Sequence, residues 1–196
     1  MSDDTSFGSL IDIIVIGVLL LTLVGALGTY IIAGSQSRNA IGGNVTGSGK
    51  TTKMYVSSYG YNDNSPPSAQ IAFPKSTGNS SVHTEATEGS GAYNDPITFA
   101  TSTKELKPGT RVYVQFLQKY FIMEDICGAC NSDWSNGKYH IDLWIGPQHA
   151  SDSNALYQCE NHITRDPTEV IIDPPGNLVV DTTPLFQNNT CTAHIH

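Results

Sequence analysis

Two aspartates frame the chemistry this chain could perform. Asp142 lies in "GKYHIDLWIGP" (137–147) and Asp125 near the end of the apolar run in "YFIMEDICGAC" (120–130). In the first stretch Tyr139, Ile141, Leu143 and Ile145 share one side of a period-2 pattern, and His140, Asp142 and Trp144 share the other. An ionised carboxylate among such neighbours is costly to bury unless something compensates. Two carboxylates near the ends of successive strands can converge on one groove. Glycoside-cleaving enzymes use that arrangement, one protonated carboxyl as general acid and a second, ionised, as base or nucleophile. Aspartates at strand ends also serve turns, so spacing alone leaves both roles open. Trp134 and Trp144 are the aromatic faces that could stack on a pyranose ring or fill the core.

The other reactive residues have blander readings. "CGAC" supplies Cys127 and Cys130, which with His140 and Cys159 could make a zinc site. Four cysteines (127, 130, 159 and 191) in a small β domain fit two disulfides better, and their pairing stays open. A thiol redox role is disfavoured because the C-x-x-C follows a strand and is not expected to open a helix. The terminal "HIH" is expected to be disordered and too short to bind a metal, so neither metal nor cofactor is expected. "GSGKTT" (47–52) imitates a phosphate-binding loop, but Asn44 stands where the motif needs glycine and no strand precedes it. Asn44, Asn79 and Asn188 head N-x-S/T sequons, which suit glycosylation of an exported domain.

Short strands and turns must position these groups. "KMYVSSYGY", "QIAFP", "ITFATS", "RVYVQFL", "KYFIMED" and "YHIDLWIG" read as strands, and "LKPGT" as a Pro-Gly turn. "SNALYQCENH" is the one helical candidate after the N-terminus, and "EVIIDPPGNLVVDTTPLF" offers two further short strands. A closed or nearly closed all-β architecture follows. With 39% hydrophobic residues, the chain can build a core. Ten basic against eighteen acidic residues, a formal charge of −8, argue against binding a nucleic-acid backbone.

The N-terminus bears on location. "IIVIGVLLLTLVGALGTYIIA" (13–33) is uncharged, apolar and about long enough to span a bilayer. It follows an acidic leader (1–12), unlike the basic start of a cleaved signal, so a retained anchor over 13–34 is expected. Residues 35–53 read as a flexible linker. Arg38, Lys50 and Lys53 would favour a cytoplasmic domain; the cysteines and sequons outweigh them, giving an outward-facing or secreted one.

Several stretches together resemble the double-psi β-barrels of expansins, rare lipoprotein A-like proteins, barwin and family 45 endoglucanases. These are "YVSSYGY", "GSGAYNDPITFATS", "LKPGTRVYV", "YFIMEDICGAC" and "GKYHIDLWIG", together about residues 54–165. "HIDL" resembles the His-x-Asp-Leu whose aspartate is the proton donor or its relic, which implies that role for Asp142, next to His140. The resemblance also implies a site role for Asp125 and places Ser57, Ser58, Tyr59 and Tyr61 in the first-strand groove. This chain departs from the hydrolytic pattern: Thr101 or Ser102 replaces an aspartate before the Pro-Gly-Thr turn. The first-strand aspartate has no secure counterpart, Asp63 falling in a turn. The second, carbohydrate-binding domain of expansins is not expected, with only about 30 residues after the barrel.

The expectation is a six-stranded double-psi β-barrel behind a single transmembrane or filament-core helix, with residues 166–196 as an extension pinned to the barrel. It is expected to bind or loosen extracellular polysaccharide through Asp125 and Asp142, with Tyr59, Tyr61, Ser58, His140 and Trp144 lining the groove. The rival readings are a glycosidase or lytic transglycosylase with Asp142 as general acid, a protease-inhibitor-like module, and a filament or virion subunit self-assembling through its N-terminal helix.

Overall fold

The computed structural model describes residues 49–147 and 152–196, so the anchor expected at 13–34, the linker before residue 49 and the sequon at Asn44 lie outside the described residues. Among the described residues no helix is long and apolar enough to cross a membrane.

Six strands close into a barrel: β1 (Lys50–Tyr59), β2 (Ile97–Thr101), β3 (Arg111–Val114), β4 (Lys119–Ile126), β5 (His140–Trp144) and β6 (Arg165–Ile172). Their order around the barrel is β1-β5-β2-β4-β3-β6. The sheet is mixed: β1 runs parallel to β5 and β2 to β4, and the other pairs are antiparallel. Closure leaves the barrel itself, among the described residues, without an edge strand. Two short helices accompany the barrel, α1 (Gly128–Ser135) and α2 (Ser153–Ile163), and a small hairpin follows, β7 (Phe186–Gln187) with β8 (Thr190–Cys191). This is the closed six-stranded all-β barrel read from the sequence, and its mixed pairing is compatible with a double-psi barrel.

The strands form where β-branched and aromatic residues alternate. Val56, Phe99, Val112, Val114, Phe121, Met123, Ile141 and Leu143 are all fully buried in one core. Register puts Phe99 opposite both Met123 and Leu143. Gly60 ends β1 because α2 lies against it: a Cβ there would stand 2.5 Å from Leu156 Cδ2 and 3.0 Å from the Ile145 carbonyl oxygen.

Several boundaries differ from the sequence reading. β1 begins at Lys50, because Lys50 to Lys53 pair with Ile172 to Glu169; residues 50–53 are strand and not linker. β6 is the sixth barrel strand, so the barrel runs to Ile172 and the extension starts after it. "QIAFP" forms no strand; Ala72 and Phe73 donate their N–H groups to β4 residues instead. "LVV" (178–180) is likewise not a strand; Val179 accepts the Tyr113 hydroxyl proton through its carbonyl. The Cys-bearing loop is a helix, with Cys127 as its N-cap. That removes the stated objection to a redox role. The C-terminus is placed, with the His196 N–H donating to the Phe116 carbonyl at 2.9 Å.

All four cysteines are paired, Cys127 with Cys130 and Cys159 with Cys191. Two disulfides fit an oxidising, extracellular or secreted setting. The second ties the β7–β8 hairpin to α2. Asn79 and Asn188 are both exposed. Asn188 and Asn189 take φ of 52° and 56° at the tip of the hairpin, as a two-residue primed turn requires.

Candidate functional site

Ala100 of β2 pairs with Asp142 of β5 on one side and with Asp125 of β4 on the other. Residues paired across a sheet project to the same face. The two carboxylates therefore share a face, two strand spacings or roughly 10 Å apart along the backbone, with only a methyl group between them. A β-bulge produces this register. Between Phe99 and Ala100 the partner on β4 jumps from Met123 to Asp125, and Glu124 is the extra residue. Glu124 is fully buried and accepts from the Val82 and His83 N–H groups, from the Thr98 hydroxyl and lies 2.7 Å from His83 Nδ1. It anchors the loop before β2, and these bonds hold its pKa below the ordinary carboxylate value although burial opposes them.

Asp142 is half-buried and carries the site. Burial, first, pushes its pKa up to about 6; the charges of Asp63 and Asp125 add to this, and the Ser57 hydroxyl opposes it. Ser57, opposite Asp142 in the β1–β5 register, donates to Asp142 Oδ1 at 2.6 Å. The same Ser57 oxygen is 2.8 Å from His140 Nε2, and His140 Nδ1 is 2.8 Å from Asp133 Oδ2 on α1. Asp142, Ser57 and His140 are thus joined by hydrogen bonds into a relay, and Asp133 of α1 closes the row as an ion-pair neighbour of His140 that is not aligned as a hydrogen-bond acceptor.

Proton counting constrains the relay. Ser57 has one hydroxyl proton. If it goes to an ionised Asp142, His140 must donate through Nε2 and, with Nδ1 facing a carboxylate, is best accommodated as imidazolium. If Asp142 holds the proton and donates to Ser57, Ser57 can donate to a neutral His140 that carries its proton on Nδ1, beside Asp133. Both arrangements contain the same number of protons, so Asp142 and His140 share one. Burial lowers the His140 pKa while Asp133 raises it, which brings the two arrangements towards each other in energy. His140 is held by more than the relay: Tyr55 packs on its ring at 4.3 Å between centroids, Glu105 accepts its N–H, and Thr101 donates to its carbonyl at 2.6 Å.

Asp125 is differently placed. It is 9% exposed and accepts three hydrogen bonds: from the Ala72 N–H at 2.9 Å, its neighbour Ile126 N–H at 2.8 Å and the Tyr59 hydroxyl at 3.0 Å. Burial raises its pKa and these donors oppose the rise. It is a fixed carboxylate acting on Asp142 through its charge.

Of the remaining sequence candidates, Ser58 donates to the Glu160 carbonyl at 3.2 Å, and Tyr59 and His140 are buried positioning groups. Trp144 is fully buried, donates to the Gly146 carbonyl and meets Tyr59 edge-on; with no face exposed it is a core residue and not a sugar platform. Tyr61 is half-buried in the 3₁₀ turn Tyr61–Asp63 that follows β1. Trp134 meets Tyr139 edge-on.

Spacing did not single out Asp133, Glu105 or Glu160, and placed Asp63 only in a turn. Asp63 accepts the Gly60 N–H at 2.6 Å, which turns it back towards β1, and it is exposed. Glu160 of α2 is buried, and burial with the adjacent Asp63 raises its pKa to about 8, leaving it protonated at neutral pH. The zinc alternative at "CGAC" does not assemble from the expected four: Cys127, Cys130 and His140 cluster within 4.8 Å, but the two sulfurs are bonded to each other and Cys159 is bonded to Cys191.

The fold and site thus define a closed mixed barrel with a carboxylate–serine–histidine–carboxylate relay on one face. The chain belongs to the family of the DDB_G0273701 N-terminal domain, whose model matches residues 51–192. It is 46% identical over 135 residues, 67% of this chain and 55% of the relative, to a Dictyostelium discoideum protein titled "Uncharacterized protein DDB_G0273701/DDB_G0273221". The chain therefore spans about half the length of that relative. No solved structure matches it significantly.

Proposed function

We propose that this domain acts on extracellular polysaccharide as an expansin-like module, with Asp142 presenting a proton to a glycosidic or hydroxyl oxygen. One observation carries the reading: a half-buried carboxyl whose pKa is raised to about 6 is joined through Ser57 to His140 and Asp133. Such a group holds its proton in mildly acidic surroundings, where a free aspartate has lost it. After donation, Asp142 is re-protonated by a proton from solvent, which the His140 imidazole can take up and pass on through Ser57. The "HIDL" motif resembling the expansin and endoglucanase proton donor supports the same assignment, as do the two disulfides of an exported domain. An N-terminal anchor over 13–34 would hold the module at a membrane surface. No nucleic-acid partner is proposed for so acidic a chain.

A second reading, cleavage of a glycan, is favoured by Asp63. Asp125 is tied by three donors and is poorly placed to activate water, whereas Asp63 is exposed and its charge acts on Asp142. In that reading Asp142 protonates the leaving oxygen as the glycosidic C–O bond breaks. Asp63 takes the proton of the attacking water, or of a substrate hydroxyl in a transglycosylation.

The test is co-sedimentation of the protein with insoluble cellulose, chitin and peptidoglycan, alongside an assay for new reducing ends or anhydro products. Binding to one of these polymers, lost in Asp142→Asn with the fold intact, supports the reading. Failure to bind any extracellular polysaccharide overturns it, and polymer cleavage abolished by Asp63→Asn moves the assignment to the second reading.

A further inference from the structure

Asp181, His194 and His196 converge at the C-terminal end of the described chain, away from the relay. His194 Nδ1 lies 2.8 Å and His196 Nε2 3.1 Å from the same carboxylate oxygen, Asp181 Oδ2. One potential ligand atom from each residue lies within 4.8 Å of the other two. The two rings stand 6.3 Å apart at 86° to each other, and both approach the same carboxylate oxygen.

Backbone bonds hold all three residues in place. The Asp181 N–H donates to the Gln118 carbonyl at 3.0 Å and the His196 N–H to the Phe116 carbonyl at 2.9 Å. The Ala193 N–H, beside His194, donates to the Leu185 carbonyl at 3.1 Å. The other carboxylate oxygen, Oδ1, accepts the Thr183 N–H at 2.8 Å and so fixes the carboxylate's orientation. Lys119 Nζ bonds the Asp181 backbone carbonyl rather than its carboxylate, which leaves Oδ2 to the two imidazoles.

We propose that Asp181, His194 and His196 form a binding site for a borderline divalent first-row cation, Zn2+ being the representative case. Two imidazole nitrogens and one carboxylate oxygen suit such an ion better than Ca2+ or Mg2+, which favour all-oxygen sets, or Cu+, which favours sulfur. Ligand atoms about 2.0–2.1 Å from a tetrahedral zinc lie about 3.3 Å apart. The present separations of 2.8 and 3.1 Å reach that value with a shift of a few tenths of an ångström. His194 is largely exposed and His196 partly so, which leaves room for water or an exogenous ligand to complete the coordination. The ion would tie the last residues of the chain to the segment that follows β6. It would thus fasten the same extension that the Cys159–Cys191 disulfide fastens at another point.

Untagged full-length protein, with its disulfides intact and in detergent if it requires it, is titrated with Zn2+ by calorimetry, and its Tm is measured with Zn2+ and with a chelator. One equivalent is expected to bind and raise the Tm. His194→Gln and His196→Gln, both at exposed positions, should each weaken binding roughly tenfold or more and abolish the Tm shift while leaving the zinc-free Tm close to wild type. His162→Gln, on the exposed side of α2, should change neither. Absence of zinc binding overturns the proposal. So does binding that is unchanged in both C-terminal variants, or lost only in the His162 variant.

Discussion

The Ser57 hydroxyl separates two acid–base behaviours of Asp142. Its hydrogen bond favours the ionised carboxylate and works against burial. Ser57→Ala therefore raises the Asp142 pKa above about 6, and the alkaline limb of any proton-dependent activity should move to higher pH, as a pH–rate or pH–binding profile would show. A limb that moves down, or stays fixed, would dissociate Ser57 from the acid. Asp142→Asn tests the carboxyl itself. A folded-state pKa raised from 3.8 to about 6 means that folding is favoured below pH 3.8 and loses that contribution as pH rises through about 6. Asparagine keeps an acceptor for Ser57 and removes the cost of the buried charge. The variant should therefore lose function yet be roughly 1–3 kcal/mol more stable than wild type at pH 8, with the difference vanishing near pH 3.5. Denaturant melts at the two pH values measure this; a variant much less stable at pH 8 would make Asp142 a structural residue.

Among the elements, α2 and the disulfides decide how firmly the site is framed. Gly60→Ala would drive a methyl group against Leu156 and the Ile145 carbonyl, displacing α2 and with it Glu160. A loss of roughly 1–3 kcal/mol is expected, readable as a lower denaturation midpoint. The Cys159–Cys191 bond closes a sequence separation of 32 and Cys127–Cys130 one of 3. In the loop-entropy account the first contributes roughly 3.5–4 kcal/mol and the second roughly half as much. Paired Cys→Ser replacements should therefore destabilise unequally, the 159/191 pair more. Equal losses would show that α1, capped by Cys127, depends on its disulfide beyond chain entropy.

At the scale of the whole molecule, three carboxyls that burial pushes up to about 6, 7 and 8 (Asp142, Glu105 and Glu160) set the pH response. Each favours folding while protonated and loses that contribution as pH rises through its folded value. Glu124 and Asp181, both lowered, act in the opposite sense and weaken the fold only as pH falls through the acid range. Thermal stability should thus be greatest near pH 5 and decline towards pH 8.5, and a Tm scan across that range checks it. Chain truncation tests the domain's extent. A chain beginning at residue 49 keeps all of β1, whereas one beginning at residue 54 discards four paired positions opposite Glu169 to Ile172. The shorter chain should melt several degrees lower.

The alternation of apolar residues was enough to read the all-β class, five of the barrel strands and the α2 segment, because each is a local pattern of burial along one stretch of chain. Full disulfide use followed from the cysteine count and composition, and Asp142 was legible from a carboxylate set among apolar strand neighbours. The pairing of Cys159 with Cys191, the entry of β6 into the barrel and the strand character of residues 50–53 depend on partners distant in sequence. The same holds for the relay. His140 and Asp142 are two residues apart, but Ser57 reaches them only through parallel pairing of β1 with β5, and Asp133 only because "CGAC" opens a helix. Trp144 shows the converse: its place in the alternation allowed an exposed platform, and packing against Tyr59 with its N–H satisfied by Gly146 buried it. Local periodicity records which residues prefer to leave water; which of them meet is set by strand order and register, and those exist only once the barrel has closed.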